Sequence, residues 1–247
     1  MKVFLAGTFS EIKCADILKT SPYLLESFYY IKDWQLDIIK DCKMFLLDSG
    51  AFTFLSNSKK HLNWDEYLEK YANFICENSI DNFFELDIDK IIGYEQVKKY
   101  RARLEEMTGK KCIPVWHRSR GYSEYLKLCE EYDYIAIGGI AIKDIKPNEY
   151  KIFPQMIRHA HERNCRVHGL GFTNVSLFSS IRFDSVDSTR WNCARFGRLE
   201  YFDGKSMKSI DRRKEGKRLV GKENVNIMRF TLSEWIKFQK YAEVNYI

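Results

Sequence analysis

A chain of 247 residues, 45% hydrophobic and 15% aromatic, holds enough apolar surface for one large core, which excludes an intrinsically disordered chain. No apolar run reaches about 18 residues, which excludes a helical membrane span, and the opening MKVFLAGTFSEIK turns polar too soon for a secretory signal. The formal net charge of +6 is concentrated: residues 205–222, KSMKSIDRRKEGKRLVGK, hold eight Lys and Arg against Asp211 and Glu215. Such a basic segment on a balanced body suits an acidic polymer such as nucleic acid, or else a solvated face.

In chain order, short apolar runs alternate with amphipathic stretches. KVFLAG (2–7), MFLLDSG (44–50), NFFELDID (82–89), KCIPVW (111–116), YIAIGG (134–139), CRVHGLG (165–171) and IRFDSV (181–186) read as strands or strand ends. Between them, helical spacing is clearest over 64–77, where Trp64, Tyr67, Leu68, Tyr71, Phe74 and Ile75 share a face and Asn63 with Glu66 forms a capping signal. Residues 94–108, 122–131, 147–163 and 231–244 read as further helices. Apolar strands alternating with helices predict a parallel sheet. Seven such units in about 250 residues predict a compact or incomplete (β/α)8 TIM-like barrel, with a doubly wound sheet as the alternative. No Pro-, Gly- or Ser-rich linker divides the chain, so 1–247 reads as one domain. The seven cysteines lie at least 17 residues apart, with no CxxC, and read as reduced thiols of a cytoplasmic protein rather than metal ligands.

Polar residues and glycines gather at the carboxyl ends of the predicted strands: Asp48-Ser49-Gly50, Asp87 and Asp89, His117, Gly138-Gly139, Gly169 and Gly171, and Asp184. In a barrel these ends converge on one face, where active sites lie. One such residue is usually a cap or a turn; six consecutive strands ending this way argue for an enzyme. Paired carboxylates suit acid/base or nucleophilic chemistry at an acetal-like carbon, and Phe52, Trp116 and Phe172 offer flat faces for a base.

These residues carry a resemblance. LLDSGAFTF resembles the DSGGFQ strand end of tRNA-guanine transglycosylases, IAIGGIAIKD their IGGLAVGE, and RFDSVDSTRW their FDCVLPTR, in the family's order over roughly residues 44–200. Among them the chain is most similar to the phage and bacterial DpdA proteins, which put 7-deazaguanine bases into DNA. The resemblance implies that Asp184 is the nucleophile that attacks the sugar C1′ and that Asp48 is the general acid/base. It implies base contacts from Ser49, Phe52, Asp87, Gly138 and Gly139, with His117 standing where the family has a glutamine and His168 where it has a methionine. Arg190 and Arg195 match arginines near the nucleic-acid backbone. Asp187 has no counterpart and reads as the partner of an arginine.

The departures are Ala51, Thr53 and Ser185 in place of a glycine, a glutamine and a cysteine, and the lack of the family's zinc-binding CxCxxC. With that element missing, Arg212, Arg213, Lys217 and Arg218 of the basic segment are the expected phosphate contacts. The resulting expectation is exchange of guanine in DNA for a 7-deazaguanine such as 7-cyano-7-deazaguanine, without metal or cofactor, in the cytoplasm (the host's, if phage-encoded). A target buried in a duplex has to be flipped out, by this chain or by a DNA-opening partner. The alternatives are the same exchange on tRNA, a base-excising glycosylase using the same two acids, and a non-catalytic nucleic-acid-binding barrel.

Overall fold

The computed structural model describes residues 1–8, 12–50, 53, 62–211 and 222–246, apart from the side chains of Arg195, Lys222 and Glu223. Seven strands form one all-parallel sheet: β1 (Lys2–Ala6), β2 (Tyr23–Ser27), β3 (Met44–Asp48), β4 (Val115–Trp116), β5 (Tyr134–Ile137), β6 (Arg166–Gly169) and β7 (Ser185–Ser188), in the order β3-β2-β1-β7-β6-β5-β4. The two outer strands meet through residues 82–85, where Leu47 pairs with Phe83 and Phe84 with Ile113, both parallel. The curled sheet with its helices outside is the compact barrel that the alternating pattern predicts, one stave being reduced to two isolated bridges.

That thin stave is held by side chains. Tyr71 donates from its hydroxyl to the carbonyls of Leu47 and Phe84, at 3.1 and 3.0 Å, and so spans one seam. Its helix, Trp64–Glu77, is capped as expected by Asn63, whose side chain accepts from the amides of Asp65 and Glu66, and it buries Tyr67, Leu68, Tyr71, Ala72 and Ile75. At the other seam the buried Glu85 accepts from the Val115 amide at 2.9 Å, replacing a ladder bond.

Successive strand residues point to opposite sides. The inward set packs the barrel interior: Phe4, Ala6, Tyr23, Leu25, Leu46, Phe84, Ile113, Val115, Tyr134 and Ala136. Two positions beyond Leu46, Val115 and Ala136, on the same phase, come Asp48, His117 and Gly138. The alternation therefore turns these residues into the upper mouth.

The structure adds elements and moves others. Strand β2 was not foreseen, nor was the antiparallel hairpin of β8 (Arg198–Phe202) and β9 (Met207–Asp211). The last helix runs over Lys222–Asn245 rather than 231–244, and Gln239 anchors it to the carbonyls of Val3 and Tyr23 at 2.7 and 2.8 Å. The consequential difference is β7, which spans 185–188 rather than 181–186. Its pairing with β1 sets Lys2 against Ser185 and Leu5 against Ser188.

Candidate active site

At the carboxyl end of the strands a cavity of about 340 Å3 opens, lined among the described residues by Glu26, Asp48, Asp87, Asp89, Lys90, His117, Gly138, Gly139, Gly171 and Asp187, with Ala6, Leu25, Ala141, Ile142 and Leu170 as apolar wall. A volume of this size lies within the range of small-molecule sites. Asp48, Asp87, His117, Gly138 and Gly139 are brought together as expected.

Asp184 is not brought there. It immediately precedes β7 at the amino-terminal rim, where its carbonyl accepts from Lys2, its carboxylate accepts from the Val167 amide at 2.7 Å, and His161 lies 2.9 Å away. It lines a separate basal depression with Met1, Arg166 and Arg182. The carboxylate at the cavity end of β7 is Asp187, three residues later. At about 3.3 Å per residue, three residues move a side chain roughly 10 Å along the strand, and an odd step also turns it to the other face. Among the described residues Asp187 has no arginine partner either: its Oδ1 accepts from the Gly171 amide at 2.6 Å and faces His168 Nε2 at 3.3 Å.

Three further expectations change. Ser49 is fully buried behind the wall; its carbonyl accepts from Tyr67 and its hydroxyl has no partner among the described residues, so it does not face the cavity. His168 is fully buried in the barrel interior beneath the cavity, against the rings of Phe4 and Phe84. Arg190 is bound to the buried Glu200, 3.0 Å from its Nε, while Trp235 donates to the other carboxylate oxygen at 2.9 Å. A guanidinium so committed is a structural tether with one exposed edge. Phe52, Arg212, Arg213, Lys217, Arg218 and the side chain of Arg195 lie outside the described residues.

The electrostatics separate the carboxylates. Burial raises Asp48 to about 7; the Gly50 amide, donating at 3.0 Å, opposes this, and the charges of Asp87, Asp187 and Glu26 add to it. Burial also raises Glu26, against donors from Ser27, Thr8 and Gln35. For His117, burial pulls downward, but the 2.7 Å hydrogen bond to Asp87 and its charge outweigh it, and the histidine is raised above its ordinary value. Gly138 permits this pair, because a Cβ there would fall 2.5 Å from His117 Cε1.

Asp87, Asp89 and His117 each bring one ligand atom within 4.8 Å of the others, the geometry of a small cation site. Among the described residues, Arg120 forms the ion pairs with these carboxylates. This almost fully buried guanidinium lies 2.8 Å from Glu85, 3.2 Å from Asp89 and 3.6 Å from Asp87, over the ring of Tyr94. Arg101 neutralises the other oxygen of Glu85 at 2.7 Å. Removing one partner from such a buried network strands the remaining charges, so Arg120→Met should lower unfolding free energy by about 3–5 kcal/mol. Urea denaturation checks this; a loss below about 1 kcal/mol would show that something other than Arg120 balances these carboxylates.

The sequence reading missed Glu26, Lys90 and, above all, Asp187. No local signal marks Asp187, because the inward residues of β7, Ser185 and Asp187, are both polar.

Neither a protein-family model nor a curated protein matches the sequence. Among solved structures, the carboxyl transferase domain of Rhizobium etli pyruvate carboxylase with 3-bromopyruvate is similar at 13% identity and a TM-score of 0.48, over 98% of this chain and 47% of that one. A GH113 β-1,4-mannanase is similar at 9% identity and 0.44, over 100% and 85%. An enolase protein from the Sargasso Sea environmental genome is similar at 8% and 0.44, over 76% and 54%. The chain thus spans about half the length of the first of these. Among the described residues, no helix is long and apolar enough to cross a membrane.

Proposed function

We propose that the chain is an enzyme, a transglycosylase that exchanges guanine in DNA for a free 7-deazaguanine base, with Asp187 as nucleophile and Asp48 as general acid/base. The observation that carries the reading is one cavity holding both carboxylates at strand ends, with Asp48 raised to about 7. A carboxyl that titrates near neutrality can give a proton and take it back. In the first half-reaction an Asp187 oxygen bonds to C1′, the C1′–N9 bond breaks with its electron pair passing to guanine, and the Asp48 carboxyl supplies the proton. In the second, the incoming base attacks C1′, releases Asp187 and returns its N9 proton to Asp48. Asp87 offers acceptors to the N–H edge of a guanine-type base, and Gly138 and Gly139 line the same cavity, Gly138 making room for the His117 ring that pairs with Asp87. The local charge of residues 205–222 supports a polyanionic substrate.

The deciding experiment incubates the protein with DNA or tRNA carrying labelled guanine, with and without 7-cyano-7-deazaguanine, followed by nucleoside mass spectrometry. Label release that requires the deazaguanine and its appearance in DNA are expected. Incorporation into tRNA alone would move the substrate. Release without any incoming base would make the enzyme a glycosylase. No release from either polymer would end the proposal.

A further inference from the structure

Beneath the cavity a chain of polar side chains runs through the otherwise apolar barrel interior. The Tyr134 hydroxyl meets Ser185 Oγ at 2.5 Å, Ser185 Oγ meets His168 Nδ1 at 2.7 Å, and His168 Nε2 meets Asp187 Oδ1 at 3.3 Å. Ser185 and Asp187 are the two inward residues of β7, and His168 faces Ser185 across the β6–β7 pairing. Tyr134, Ser185 and His168 are buried, and none of them lines the cavity. Polar groups in such a place are costly unless each finds a partner.

The polarity of this chain can be decided by counting hydrogens. With a neutral imidazole protonated on Nε2, Tyr134 donates to Ser185, Ser185 donates to Nδ1, and Nε2–H donates to Asp187. Every hydrogen then has an acceptor. With the proton on Nδ1 instead, Ser185 must accept it and a bare Nε2 lone pair faces a carboxylate, two acceptors opposed in a site of low polarity. The Gly171 amide also donates to Oδ1, while Oδ2 takes no hydrogen bond among the described residues. Both donors therefore hold the same oxygen.

We propose that His168 is the positioning residue of the nucleophile: the buried Tyr134–Ser185 pair fixes its Nε2–H tautomer, Nε2–H and the Gly171 amide fix Oδ1, and Oδ2 is left aimed into the cavity as the attacking oxygen. This rests on the reading of Asp187 as nucleophile. It adds the device that orients the carboxylate, since a nucleophile free to rotate loses near-attack geometry.

The test uses the full chain, His168→Leu, His168→Gln and Ser185→Ala, with single-turnover formation of the sugar adduct and calorimetric binding of free guanine. His168→Leu should slow adduct formation about 100-fold, the scale of a misplaced reacting group, with guanine affinity unchanged within about twofold. His168→Gln, whose amide can donate from a similar position, should recover most of that rate. Ser185→Ala should give an intermediate loss and covers the case in which the leucine variant fails to fold. Unchanged rates in His168→Leu or Ser185→Ala, or parallel loss of rate and guanine affinity, would overturn the proposal. Nitrogen NMR of the His168 ring gives a readout that needs no activity: a proton on Nδ1 overturns the tautomer assignment outright. An adduct that survives Asp187→Asn would instead overturn the nucleophile reading, with the NMR result still standing.

Discussion

Asp187→Asn is expected to abolish sugar-adduct formation and base exchange, by at least about 10^4-fold, while Asp184→Asn leaves both within about threefold of the parent. Losing a covalent nucleophile removes the pathway rather than a fraction of a barrier. The contrast follows from position alone. Asp187 ends β7 in the cavity, whereas Asp184 sits before β7 at the opposite rim and accepts a backbone amide. An asparagine at 184 keeps an acceptor for the Val167 amide, so its stability cost should stay below about 1 kcal/mol. Trapping the adduct on protein digested after denaturation, followed by peptide mass spectrometry, locates the ester. An ester on Asp184, or an active Asp187→Asn, would reject the assignment.

Asp48→Asn should lower exchange by about 10^2- to 10^4-fold, the usual scale of acid/base assistance, and should also change two pH profiles. In the parent, the first half-reaction needs the protonated carboxyl, so its kcat/KM should fall tenfold per unit above pH about 7. The variant's residual rate should be flat there. The stability profile has its own sign. The folded value of about 7 lies above the ordinary 3.8, so folding takes up a proton between them. The associated stability is complete below pH about 4 and lost as pH rises through about 7. Asn has no charge to bury, so between pH 4 and pH 8 the variant should gain about 2–4 kcal/mol on the parent, less than the full shift because Asp48 is partly open to the cavity. Denaturation at the two pH values checks it; equal differences at both would mean that Asp48 titrates as an ordinary carboxyl.

Much of the barrel was legible because its signals are local. The helix Trp64–Glu77 follows from Asn63 and an apolar face at helical spacing. Asp48, His117 and Gly138 are legible because each follows an apolar run at its carboxyl end; in the structure Leu46, Val115 and Ala136, two residues earlier, face inward on the same phase. Strand β2 was overlooked because YLLES is short and carries Glu26, a buried carboxylate that Thr8 and Gln35 satisfy from other parts of the chain. Nothing near residue 26 announces those donors.

In β7 the local signal fails for a definite reason. Its inward residues are Ser185 and Asp187, so hydrophobic alternation cannot set the phase, and Phe183 and Val186, both buried, favour neither register. The sequence by itself determined the alternating architecture, the strand ends rich in Asp and Gly, and the acid at position 48. Only the tertiary structure decided which aspartate of RFDSVDSTRW reaches the cavity. That choice is made by backbone hydrogen bonds from β1 and β6 and by the buried partners Tyr134 and His168, from strands distant in sequence, which give Ser185 and Asp187 a reason to face inward.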